Sequence, residues 1–136
     1  MWMSILLAVK LFQGWGYTVT LPDKAATTNQ SPVDSIDLTS ITVDGKLILT
    51  VYAGWEPNFP HHVPKNLAIT KHKIGALECQ TFSWGEAKKS RETLVNLPQS
   101  NKYPPYLHVF YTDLSPGDAK TADAVIESIH ASSKGR

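Results

Sequence analysis

Residues 35–52, SIDLTSITVDGKLILTVY, decide the fold. Asp44-Gly45 supplies the positive φ angles of a tight two-residue hairpin turn, whose twist matches that of the flanking strands. In the arm that follows, Leu47, Leu49 and Val51 recur at the two-residue period that puts them on one strand face. The stretch therefore predicts an antiparallel hairpin of residues 35–43 and 46–52.

Outward from this hairpin, residues 17–21 (YTVTL) alternate in the same way until Pro22 stops them. Residues 24–34 (KAATTNQSPVD) are small and polar without a period, and read as a loop. Downstream, 67–74 and 76–84 predict two extended segments around Gly75. Residues 86–97 (EAKKSRETLVNL) begin with helix formers, but Thr93, Leu94 and Val95 before Pro98 assign the second half to strand. The aromatic run 106–112 (YLHVFYT) is a strand that pairs with it across the turn-rich 99–105. Ser115-Pro116-Gly117-Asp118 then offers an N-cap, a first-turn proline and an early acid. The helix predicted over 116–131 carries Ala119, Ala122, Val125, Ile126 and Ile129 as an apolar stripe, with Lys120, Asp123 and Glu127 outside it. The expected class is α+β, an antiparallel sheet of about five or six strands with this C-terminal helix and an N-terminal helix packed on it.

The N-terminal expectation concerns residues 1–13. Trp2, Ile5, Val9 and Phe12 share a helical face, while Met3, Ile5, Leu7, Val9 and Leu11 fit one strand face equally well. The run has neither the basic start nor the small-residue cleavage site of a secretory signal, and Lys10 interrupts it well short of the ~20 apolar residues of a membrane span. It is assigned to a helix, with a membrane anchor as the alternative. With 42% hydrophobic and 18% charged residues, the 136-residue chain can bury one core without staples, so residues 1–136 are expected to form a single domain with a frayed tail at 132–136. A net charge of +1 is too small a field to gather nucleic acid or an anionic membrane surface. Neither is an expected partner, and membrane association would come only through the N-terminal segment. Cys79 is the only cysteine, reads as a buried apolar group, and leaves a reduced cytoplasm and an oxidising periplasm both open.

No phosphate-cradling loop, dinucleotide fingerprint or nucleophile elbow is present. His61-His62 with His72 would have to converge on a metal, yet adjacent side chains of an extended chain point to opposite sides. A Cys79–His108 nucleophile pair would need contact and a third orienting group, and the sequence indicates neither. No catalytic residue, metal or cofactor is expected. The informative segment is 53–65 (AGWEPNFPHHVPK), where three prolines stiffen an aromatic loop. Trp55 and Phe59 are its candidate partner-binding anchors, flanked by Glu56, His61, His62 and Lys65, and Trp84 and Tyr103 form a second candidate rim with Pro104 and Pro105. The competing reading, with Trp55 and Phe59 folded back as a cap on the core, stands level with it.

The segments YTVTLP (17–22), LTVYAGWEP (49–57), SRETLVNLP (90–98) and YLHVFYTDLSPGDAKTADAVIESI (106–129) resemble, in order, small bacterial proteins of the PsbP-like or Mog-type α+β fold. The resemblance carries no catalytic motif and implies non-catalytic binding factors, among them envelope lipoproteins, assembly helpers and antagonists of secreted toxins. The lipid-attachment cysteine that envelope members often carry near the N-terminus is missing, which disfavours the lipoprotein version. The expected function is a non-catalytic protein-binding module, such as an immunity-type antagonist of a secreted toxin or an assembly factor, and not an enzyme. The alternative is a small hydrolase or small-ligand carrier, which requires a concave pocket with convergent polar groups.

Overall fold

The structure, a computed structural model, describes residues 8–33, 36–57, 59–60, 68–85, 89–100 and 102–132. Asp44 and Gly45, at φ of 53° and 78°, join β4 (Ile36–Val43) to β5 (Lys46–Gly54) as this dipeptide predicts, but Leu47 does not share the face of Leu49 and Val51. Ile41 faces Leu49 and Thr42 faces Leu47, so Ile48 is the extra residue of a bulge. That bulge turns Ile48 inward beside Leu49 and leaves Leu47 exposed.

Five further strands extend this hairpin into one antiparallel sheet: β3 (Ala25–Val33), β6 (Thr70–Ile74), β7 (Leu77–Trp84), β8 (Ser90–Asn96) and β9 (Tyr106–Tyr111). The order is β3-β4-β5-β9-β8-β7-β6, so β9 joins the two halves by pairing with β5 on one side and β8 on the other. A second sheet, order β1-β2-β10, is built from β1 (Val9–Gln13), β2 (Tyr17–Pro22) and β10 (His130–Ala131). The helix α1 (Pro116–Glu127) touches β5 and β9 on one side and β2 on the other. Its Ala122, Val125 and Ile126 share a core with Tyr17, Val19 and Leu21 of β2 and with Val51, Leu107 and Val109 of the larger sheet. Each such branched aliphatic side chain stabilises the fold by about 1.5–3 kcal/mol when fully buried. Ser115 Oγ accepts the Asp118 amide at 3.2 Å, the N-cap that the sequence predicts.

The α+β expectation is overturned. Among the described residues the chain is mostly β, with ten strands in two antiparallel sheets and a single helix at the C-terminal side. Residues 9–13, expected in an N-terminal helix, are the strand β1, while residues 1–7 lie outside the described part. The Gly14 amide bonds to the Tyr17 carbonyl at 2.8 Å, and this turn lays β1 against the edge of β2, so pairing satisfies backbone groups that a short helix would have to satisfy within itself. Phe12 packs against the core and Val9 and Leu11 face outward. Residues 24–34, expected as a loop, are largely β3. It is an edge strand whose residues 26–30 are exposed, so it needs no apolar period. The helix stops at Glu127 and not at 131. Ser128 Oγ accepts the Thr20 amide at 2.9 Å and donates to the Val125 carbonyl at 2.6 Å, after which His130 and Ala131 pair with Thr18 and Tyr17.

Candidate functional site

Strand alternation gives the seven-stranded sheet two different faces. Leu107, Val109 and Tyr111 look toward α1, whereas His108, Tyr52, Phe82 and Trp84 lie on the opposite face, which the chain crosses after leaving β5. It leaves at Gly54, where the Tyr52 ring comes within 2.8 Å of the place a Cβ would occupy, so a larger residue would displace that ring. His108 Nε2 donates to the Glu56 carbonyl at 3.2 Å, and its Nδ1 lies 3.7 Å from Glu92 Oε2, with both side chains fully buried. Tyr52 meets the His108 imidazole edge-on at 5.4 Å. The loop is thus anchored by its backbone on a buried Glu–His pair.

Of the residues singled out from sequence, Trp55 stays outside at 41% exposure, and the Glu56 side chain is exposed. Phe59 folds back edge-on to the buried Phe82 at 5.4 Å, with Trp84 on Phe82 at 5.1 Å, and both Phe59 and Trp84 are half-buried. Tyr103 is half-buried beside Gly16. His61, His62 and Lys65 lie outside the described residues. The two candidate rims meet, because Gly54 faces Tyr106 in the β5–β9 register and this places Trp55 next to the β8–β9 connection. Trp55, Pro105 and Tyr106, with Gln99 and Ser100, line an open cleft of about 410 Å³. Its polar wall is held from within, since Ser100 Oγ accepts the Lys102 and Tyr103 amides and the Leu97 amide bonds to the Pro105 carbonyl at 2.7 Å. Gln99 and Tyr106 carry no signal of this role in the sequence, because their meeting with Trp55 depends on strand order.

A second open cleft, of about 450 Å³, lies beside α1 on the other face. Thr70, His72, Thr81 and Ser83 line one wall, and Arg91, Tyr111 and Asp123 the other. His72 Nε2 and Thr81 Oγ1 are 2.7 Å apart, and Thr81 continues to Thr93 Oγ1 at 2.8 Å. Across from them, Arg91 Nη1 and the Tyr111 hydroxyl both donate to Asp123 Oδ1, at 2.7 and 3.0 Å. Burial first, and the Asp123 charge second, push the Tyr111 hydroxyl up to about 12. The signal in the sequence is a polar residue at every second position of three strands: Thr70 and His72, Thr81 and Ser83, Arg91 and Thr93. It becomes legible only once β6, β7 and β8 are known to be neighbours.

Cys79 and His108 do not meet, because Cys79 lies on the helix side of the sheet beside Val95, in line with Leu107, and His108 points the other way. Burial raises the Cys79 thiol above its usual range. Among the described residues no three His, Cys, Asp or Glu side chains converge as metal ligands, and no helix is long and apolar enough to cross a membrane. Comparison with protein-family models, curated proteins and solved structures gave no match.

Proposed function

We propose that this chain is a protein-binding module that takes a short extended segment of its partner into the cleft at Trp55. The observation that carries the reading is the exposed Trp55 standing beside Pro105 and Tyr106, residues from two distant parts of the sequence brought to one cleft. Aromatic and proline walls suit an extended peptide, whose proline or aliphatic residues fill apolar slots while an amide such as that of Gln99 takes its backbone carbonyls. Rigid aromatic anchors concentrate binding energy, and a loop already held by His108 loses little further freedom on binding. An immunity-type antagonist of a secreted toxin and an assembly factor both work through such a module. The near-zero net charge supports a protein over a nucleic acid.

The test is selection of binders from a random-peptide display library on the folded chain, followed by affinity measurement on wild type and Trp55→Ala. We expect enriched peptides whose affinity falls roughly 30-fold in the variant, about 2 kcal/mol, while its Tm stays within a degree or two of wild type. Selected peptides that bind the variant equally well, or a large fall in Tm, would overturn the assignment.

A small-ligand carrier is favoured by a separate observation, the convergent polar lining of the cleft beside α1.

A further inference from the structure

We propose that the cleft between β6, β7, β8 and α1 binds a small, uncharged, hydroxyl-rich ligand of the polyol or monosaccharide class. The proposal rests on the carrier reading and is independent of the groove at Trp55, which lies on the other face of the sheet.

The polar groups are fixed before a ligand arrives. One oxygen of Asp123 takes both Arg91 Nη1 and the Tyr111 hydroxyl, which leaves Oδ2 and the rest of the guanidinium for a ligand. On the opposite wall, His72 spends Nε2 on Thr81, whose hydroxyl is also bonded to Thr93, and keeps Nδ1 available. Thr70 and Ser83 add two hydroxyls, each able to donate and to accept. The cleft therefore offers both acceptors and donors, which neighbouring hydroxyl groups, themselves both donors and acceptors, can satisfy.

Charge argues for a neutral ligand. Arg91 and Asp123 cancel each other at 2.7 Å. Along α1, Lys120 lies three residues before Asp123 and Glu127 four residues after it, and these also cancel. Lys71 and Lys73 of β6 alternate with Thr70 and His72 and so belong to the opposite face of the sheet, which leaves little net field in the cleft to draw in an ion, and an ionic ligand would have to break the Arg91–Asp123 pair to use either charge. An apolar ligand is equally unsuited, because it would strip water from these polar groups without replacing the hydrogen bonds. The cleft is shallow and open, with about 450 Å³ of space, so a small ligand would lie against its polar walls and keep one side in water.

The experiment is a titration of the isotopically labelled full chain, followed by amide NMR, with glucose, N-acetylglucosamine and myo-inositol as neutral probes and inorganic phosphate and acetate as anions. Saturable shifts at Thr70, His72, Ser83 and Arg91 with at least one neutral probe are expected. Arg91→Met should weaken that binding by about tenfold or more, and Thr70→Val/Ser83→Ala, which removes two cleft hydroxyls without touching the ion pair, by about fivefold or more. Trp55→Ala should leave it unchanged, so that failure of the peptide groove and failure of this cleft read out separately. Shifts with phosphate or acetate alone, no saturable shift with any probe, or full affinity in the double hydroxyl variant would each overturn the proposal.

Discussion

Tyr17 and Tyr111 are both buried, but their hydroxyl groups are treated differently. Tyr111 donates to the Asp123 carboxylate at 3.0 Å. Tyr17 lies with its hydroxyl near Thr39 and Asp37 on β4, without meeting the geometry of a full hydrogen bond among the described residues. Tyr111→Phe should therefore destabilise the protein by about 1–2 kcal/mol, since a hydrogen bond to a charged group is lost, whereas Tyr17→Phe should be neutral within about 0.5 kcal/mol. Urea-denaturation midpoints of the two variants check this, and equal losses would contradict it. Burial is also the main reason that both hydroxyls are raised from the ordinary 10.0 to about 12. The folded protein holds these protons more tightly than the unfolded chain, so the stabilisation is complete below about pH 10 and disappears as the pH climbs to about 12. For the fully buried Tyr17 the loss is about 2–3 kcal/mol. Stability measured by denaturant at stepwise alkaline pH should fall across that window in wild type and fall less in Tyr17→Phe.

Among the elements, α1 is the one whose start is written most locally. Ser115→Ala removes the acceptor for the Asp118 amide and should cost about 1 kcal/mol, while Ile126→Ala opens a hole where helix and sheets meet and should cost about 2–5 kcal/mol. Thermal denaturation of both variants gives the ratio, and a cap variant as damaging as the core variant would mean that the helix end does more than cap. The same contrast explains what the sequence made legible. Asp44-Gly45 and Ser115-Pro116 are local chemistry, and the hairpin turn and the helix start form where predicted, while the helix end, set by the Ser128–Thr20 contact and the pairing of β10, does not. β3 was not legible, because an exposed edge strand has no reason to alternate. β1 was not legible either, because its apolar residues fit both periods and the edge of β2 decides between them. Trp55 could be singled out because prolines follow it closely on the chain, but Tyr106 and Gln99 join it only through the β5–β9 pairing. The polar cleft needs four strands in register, with Tyr111 on β9 among them, and a helix from a fifth part of the chain.

At the scale of the molecule, the seven-stranded sheet is open and ends at β3 and β6. β6 exposes Lys71 and Lys73, the kind of charge that keeps an unpaired edge from joining another copy. Lys71→Val/Lys73→Val should leave the fold intact and increase self-association, seen as a concentration-dependent rise in sedimentation coefficient; a variant that remains monomeric at high concentration would show that the edge is protected otherwise. The small sheet has another consequence. β1 starts opposite Pro22 and runs toward Thr18, and β10 flanks the other side of β2 and runs the same way, from Thr18 to Tyr17. A tension applied at Val9 and at Ala131 pulls toward opposite ends of that sheet. It loads the five β1–β2 residue pairs together in shear and does not peel them one at a time, so under such a pull the two-pair β10–β2 contact is the one to yield first.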